Sequence, residues 1–232
     1  MQHQPKSFGE MTEHGYLVRG VPLEQLAQTT DLVSAAWLIW TGEQPTPAQK
    51  TLLNACLVMC MDHGADSPAA SASRLVASCG KPMADAVAAG LLTLGPRHGN
   101  AGSLAAQIFR QALEGHTDAE NLVRMTLERG ERIPGFGHPV YDVDPRAQAL
   151  IKIAKQSLKA TPHLDYAITI AEALHQIKNK PLPLNIDGVI GAIVADLGVP
   201  DILADVIFLW ARTVGLVGHA LEASNLSSYL RG

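Results

Sequence analysis

The sequence is short of several things at once. Only 5% of its 232 residues are aromatic, and hardly any stretch alternates apolar with polar residues over strand lengths, so little room is left for sheet. Three cysteines, Cys56, Cys60 and Cys79, are too few and too odd a set for a disulfide framework and read as reduced thiols. The formal net charge is −4, with no basic run and no acidic tail, so composition supports neither nucleic-acid nor membrane-surface binding. The opening MQHQPKSFGE lacks the basic start and apolar core of a secretory signal. No apolar run comes near the roughly 18 residues of a membrane span, and the cytoplasm is the expected location. G-x-G-x-x-G, G-x-S-x-G and H-E-x-x-H are all missing, which removes the nucleotide-fingerprint, hydrolase and zinc-protease readings.

What is present repeats at helical spacing. With 47% hydrophobic and 17% charged residues the chain can bury a sizeable core, and the expected fold class is all-α. Asp31 caps DLVSAAWLIWTG and Gly42 ends it; AQKTLLNACLVMCMDHG runs to Gly64. Thr117 and Glu120 make a capping-box pattern before NLVRMTLERG, and Pro145 starts a helix at a first-turn position. The last two helices, GVIGAIVADLG and DILADVIFLWARTVGLVGHALE, are apolar nearly all round. Such helices must be covered on every face, which predicts a helix-rich interface and an obligate homodimer.

Three loops place a titratable residue among glycines and prolines: GPRHGN around His98, PGFGHPVY around His138 and PLNIDG around Asp187. His98 lies just before a helix N-terminus, where the positive end of the dipole favours neutral imidazole, a form that can donate to a developing enolate. Glycines beside His138 let a ligand approach the backbone. Asp187 precedes a helix, and a plain capping role competes with a catalytic one. Cys56, Cys60 and His63, spaced i, i+4 and i+7, would share a helical face; a core stripe explains this as well as a metal site does, no fourth ligand is evident, and no metal is expected. His219, among apolar residues of the last helix, reads as structural.

Read together and in order, these segments resemble the citrate synthase family. GPRHGNAG is similar to that family's first histidine loop, PGFGHPVYDVDPRA to its second, NID to its aspartate motif and LWARTVGLVGHALE to its closing arginine helix; GYLVRGVPLEQLAQTTDLVSAAWLIWTGEQPT resembles its early region. The resemblance spans about Gly15 to Glu222. It implies a citrate synthase-like helical fold with a large domain, residues 1–98 and 188–232, and a smaller inserted helical domain, residues 99–187. It implies that Asp187 moves the proton at the acyl carbon, that His98 hydrogen-bonds the enolate oxygen, and that His138 serves the oxygen of the partner carbon. Arg146 and Arg212 would bind substrate carboxylates, with His63 as a further substrate-binding residue. The backbone of Arg132, Ile133, Pro134, Gly135, Phe136 and Gly137 would receive coenzyme A, which enters as a thioester substrate; no tightly bound cofactor is expected.

Pro139 stands where the synthases commonly have arginine, and the GHP form resembles the citryl-CoA lyase branch. The approach from His138 to Arg146 is one residue shorter than usual, the chain is shorter than a full synthase, and Arg231 is a weak candidate for the family's C-terminal arginine. The expected activity is cleavage of citryl-CoA, or a related 3-hydroxy-acyl-CoA, to acetyl-CoA and oxaloacetate. Citrate or methylcitrate synthesis is the alternative, and a non-catalytic helical binding or scaffold subunit is the alternative of another class.

Overall fold

The computed structural model describes residues 7–13, 15–95, 98–138 and 141–229, with side chains as far as residue 224. Helix makes up 64% of it, in agreement with the all-α expectation. The chain divides into two compact units, Met1–Asn54 and Ala55–Gly232.

The first unit adds a small sheet to the expected helices. Strands β1 (Gly9–Thr12), β2 (Gly15–Val18) and β3 (Val21–Pro22) pair antiparallel in that order, Gly9 opposite Val18 and Leu17 opposite Pro22. Strands this short carry too little alternation to be read from sequence. Helices α1 (Leu23–Thr29) and α2 (Leu32–Thr41) follow. Asp31 caps α2 by accepting from the Ser34 N–H at 3.0 Å, and Gly42 closes it in the left-handed conformation, as predicted. Val18, Leu26 and Leu38 form this unit's core. Helix α3 (Pro47–Cys60) contains the division and stops at Cys60, short of the expected Gly64.

The second unit holds α4 (Pro68–Ser78), α5 (Met83–Leu91), α6 (Gly102–Glu114), α7 (Ala119–Glu128), α8 (Pro145–Ser157), α9 (Pro162–Lys178), α10 (Ile186–Asp196) and α11 (Leu203–Tyr229). Helix α10 is its centre and packs on α6, α8, α9 and α11. Ile186 and every residue from Gly188 to Ala195 are buried. Burying a side chain such as Ile190 or Ile193 contributes about 2 kcal/mol relative to leaving it in water. The all-round apolarity of α10 is thus used inside one chain, which corrects the inference that it needs a second subunit to cover it.

Helix α11 packs on α4, α5, α6 and α10, with Ala77, Ala86, Ala220 and Ala223 forming a small-residue cluster that lets backbones approach closely. Over Leu203–Ser224 it is long and apolar enough, by length and composition, to cross a membrane, contrary to the reading of the sequence. That same stretch carries the buried Arg212 and keeps Leu209, Val214 and Leu221 exposed. The cap of α7 is Asp118, accepting from the Asn121 N–H at 2.8 Å, rather than Thr117. Asp144 caps α8 with Pro145 in the first turn, the Asp-Pro pairing that starts helices well.

Candidate active site

Two backbone segments are laced together to bring His138 and Asp187 into one region. The Gly137 N–H donates to Pro183 O at 2.7 Å and the Asn185 N–H to Gly135 O at 3.0 Å, so that Phe136 bridges Leu184 as a one-residue antiparallel pair. Asn185 then serves twice: its Nδ2 donates to Gly137 O at 3.0 Å and its Oδ1 accepts the Gly188 N–H at 3.1 Å. Gly135 has φ +87°, and a Cβ there would stand 2.6 Å from the Gly188 Cα, so no side chain fits at this position. Asn185, not Asp187, is the cap of α10. The plain role that competed for Asp187 is therefore taken by a neighbour.

Asp187 sits in the first turn of α10, deep in the unit but with part of its surface accessible. Burial pushes its carboxyl up to about 6; Arg146 and Arg212 pull the other way, while Asp205 and Asp144 add to the push. A carboxyl in that range can hold or release a proton near neutral pH, which an acid–base catalyst requires. The Cys60 thiol lies within electrostatic reach of Asp187, Arg146 and Arg212, and burial pushes it well above its usual range. Cys56 is likewise buried and pushed up to about 12. Both cysteines are neutral core groups, and among the described residues no set of three His, Cys, Asp or Glu side chains is arranged to hold a metal ion.

His98 is anchored by a tight reciprocal pair with Gly95, N–H to O at 2.8 Å in both directions. Its pKa is lowered, by burial first and by Arg212 second, so the ring is neutral at pH 7, the state anticipated from the helix terminus. Its Nε2 is buried without a hydrogen-bond partner. Arg212 is 2% exposed, stacks over the Phe208 ring at 4.8 Å and donates from Nε to Cys60 O at 3.3 Å, while its Nη1 is buried and unpartnered. A polar ligand that reaches groups buried this deep gains the free energy of pairing them.

The opposite side of the site is organised by Arg146. Asp144, fully buried, accepts from the Arg146 backbone N–H at 3.0 Å and takes the guanidinium in a fork, Nε at 3.1 Å and Nη2 at 3.0 Å. Burial works against the Asp144 charge, but the Arg146 hydrogen bonds outweigh it and leave its pKa lowered. Pinned this way, Arg146 places Nη1 at 3.1 Å from His63 Nδ1 and Nη2 at 3.5 Å from His138 Nε2. A guanidinium only donates, so His63 Nδ1 accepts; burial, Arg146, Arg212 and His138 together lower the His63 pKa. The Tyr141 N–H donates to His138 Nδ1 at 3.1 Å while Nε2 faces the Arg146 guanidinium, so both ring nitrogens stand opposite donors. The His63 and His138 rings meet edge-on, centroids 5.7 Å apart.

Beside His138 opens a cavity of about 620 Å³. Arg132, Ile133, Phe136 and Gly137 line it as expected; Pro134 and Gly135 do not line it, and Gly135 instead faces Gly188. Leu127, Glu131, Leu174, Lys178, Lys180 and Leu182 complete the wall. Three cations against the single Glu131 carboxylate leave the lining net positive, which suits a long ligand with anionic groups. No motif in the sequence singles out Lys178 and Lys180, and Asp144 is hidden in an ordinary Asp-Pro helix start. Pro139 and Arg231 lie outside the described residues.

The model of the family described as citrate synthase, C-terminal domain, matches residues 43–231. The citryl-CoA lyase of Hydrogenobacter thermophilus is 34% identical and superposes with a TM-score of 0.89, covering 96% of this chain and 88% of that one. The ATP citrate lyase of Methanosaeta concilii, solved in complex with (3S)-citryl-CoA, is 26% identical with a TM-score of 0.87, over 98% of this chain and 40% of that one. Among curated proteins, ATP-citrate synthase beta chain protein 2 of Arabidopsis thaliana is 28% identical over 91% of this chain. The chain spans 38% of that relative's length.

Proposed function

The chain belongs to the citrate synthase family, and we propose that it cleaves citryl-CoA, or a closely related 3-hydroxy-acyl-CoA, into acetyl-CoA and oxaloacetate. The observation that carries the chemistry is the carboxyl of Asp187, pushed up to about 6 by burial within reach of two arginines. The preference for cleavage over condensation is supported by the likeness to a citryl-CoA lyase along nearly the whole length of both chains.

In this reading the substrate's carboxylates meet Arg146, Arg212 and His63, where guanidinium forks suit them. The thioester arm runs from His138 into the lined cavity, with Arg132, Lys178 and Lys180 toward its phosphates. His138 Nε2 takes the proton of the tertiary alcohol. The electrons of the breaking carbon–carbon bond pass to the acyl fragment as an enolate, whose oxygen accepts from neutral His98. Protonated Asp187 then delivers its proton to the enolate carbon, leaving acetyl-CoA and the oxo acid. For His138 to accept at Nε2, its ring proton must lie on Nδ1, the tautomer that the Arg146 Nη2 contact favours, and the Tyr141 N–H contact must open. Substrate binding has to favour that ring state.

The large and small domains, residues 1–98 with 188–232 and residues 99–187, remain part of the proposal, with His98 and Asp187 at their crossings and closure as the step that excludes water. So does the homodimer, which would cover Leu209, Val214 and Leu221 on α11. Two incubations test the activity: citryl-CoA alone should yield acetyl-CoA and oxaloacetate. Acetyl-CoA with oxaloacetate releasing free CoA, and citryl-CoA left uncleaved, would replace the lyase by a synthase.

A further inference from the structure

Successive turns of α11 grip the short segment that leads into His63. Arg212 Nε donates to Cys60 O at 3.3 Å. One turn on, Gly215 approaches the Met61 carbonyl oxygen so closely that any side-chain carbon there would collide with it. A turn further, His219 Nε2 stands 2.8 Å from Asp62 Oδ1. Ser73 Oγ, donating to Leu216 O at 3.3 Å, ties this stretch of α11 to α4. The residue after Asp62 is His63, whose Nδ1 takes its hydrogen bond from Arg146.

Packing alone does not account for an imidazole at 219. The Asp62 side chain is 50% exposed and water would satisfy it, whereas the His219 side chain is only 14% exposed. With Nε2 donating to the carboxylate, Nδ1 of the ring is buried without a hydrogen-bond partner, Glu222 Oε2 being 4.0 Å away. An apolar side chain of similar size would avoid that unsatisfied atom. The ring is explained by what its other nitrogen holds.

We propose that His219 is a positioning residue: by donating to Asp62 it fixes the Asp62–His63 step and so keeps the His63 ring against Arg146 and edge-on to His138. It touches no substrate in this arrangement. The inference rests on the proposed function only for its catalytic consequence, since the geometry it asserts concerns His63 itself.

The test is a titration of the histidine rings by NMR in the full chain, with His63 assigned from a His63→Asn variant. In the wild type the His63 ring should titrate below the ordinary histidine value, because partial burial and the Arg146, Arg212 and His138 rings and cations act on it, against Asp144 alone. His219→Ala should raise it by about half a unit or more as the ring leaves Arg146. His219→Gln, whose amide can still donate to Asp62, should keep it low. Asp62→Ala, which also removes the carboxylate's hydrogen bonds with the His63 and Gly64 N–H groups, should raise it at least as far as His219→Ala. In turnover of citryl-CoA, His219→Ala should lose about tenfold in kcat/KM but less than about twofold in a His63→Ala background, because the two act as one unit. An unmoved His63 titration in His219→Ala would overturn the proposal, as would a glutamine variant no better than alanine, or strictly additive losses. If the titrations behave as stated while no variant, wild type included, turns over citryl-CoA, the positioning stands and the assigned reaction falls.

Discussion

The two sides of the site are built on opposite principles. Around Asp187 and His98 the protein withholds partners: one carboxyl is pushed up by burial, one imidazole is kept neutral, and its Nε2 is buried and unpaired. Around Arg146 every group is bonded in advance, with Asp144 holding the guanidinium in a fork and His63 accepting from it. The withheld side suits charge that appears only during the reaction, and the pre-bonded side suits charge that the substrate brings with it.

Substitutions should separate these two sides cleanly. The largest expected effect is that of Asp187→Asn, which removes the proton carrier but keeps the shape: turnover of citryl-CoA should fall by about 10³-fold. Thermal unfolding should show the same variant to be more stable. The folded pKa of about 6 lies above the ordinary 3.8, so ionisation of Asp187 opposes folding as pH rises through that window. The gain should be absent below pH about 4 and reach about 3 kcal/mol above pH about 7. Loss of stability at pH 8 would contradict the burial of that carboxyl.

On the pre-bonded side, Arg146→Lys keeps the charge but loses the fork, and kcat/KM should drop by about 10- to 100-fold, mainly through KM. A drop confined to kcat would move Arg146 into the chemistry itself. The double variant Lys178→Ala, Lys180→Ala should raise KM for the thioester by about 5- to 10-fold with kcat unchanged, each lysine supplying a charge-assisted contact of about 1 kcal/mol or less. The smallest effect is a shape: with Asp187 needed as acid, kcat/KM for cleavage should decline as pH rises through about 6, whereas condensation, which needs the carboxylate, should rise over the same interval. Parallel limbs in both directions would break the acid–base assignment.

Much of this was legible along the chain because the site residues sit in short, distinctive loops. His98, His138, Asp187, Arg146, Arg212 and His63 are named because their segments, taken in order, resemble one family, each alone having a plainer reading, and the second unit brings them within reach of one another. The features that escaped are those made by distance in sequence. His219 and Asp62 are partners across 157 positions, so nothing local marks either. Asn185 and Asp187 are two residues apart and both favour helix starts, and only the actual first turn decides which one caps. The apolar face of α10 looked like an interface because a periodic pattern records that a helix must be covered but not by what, and here α6, α8, α9 and α11 cover it. The N-terminal sheet, with strands of 4, 4 and 2 residues, was too short to leave a periodic trace.

The most direct measurement is the product of a single turnover of citryl-CoA by the purified wild-type chain, quenched and separated. Acetyl-CoA and oxaloacetate in equal amounts, lost together in Asp187→Asn, are the expected result. Free CoA and citrate, formed by hydrolysis of the thioester with the carbon–carbon bond intact, would contradict it.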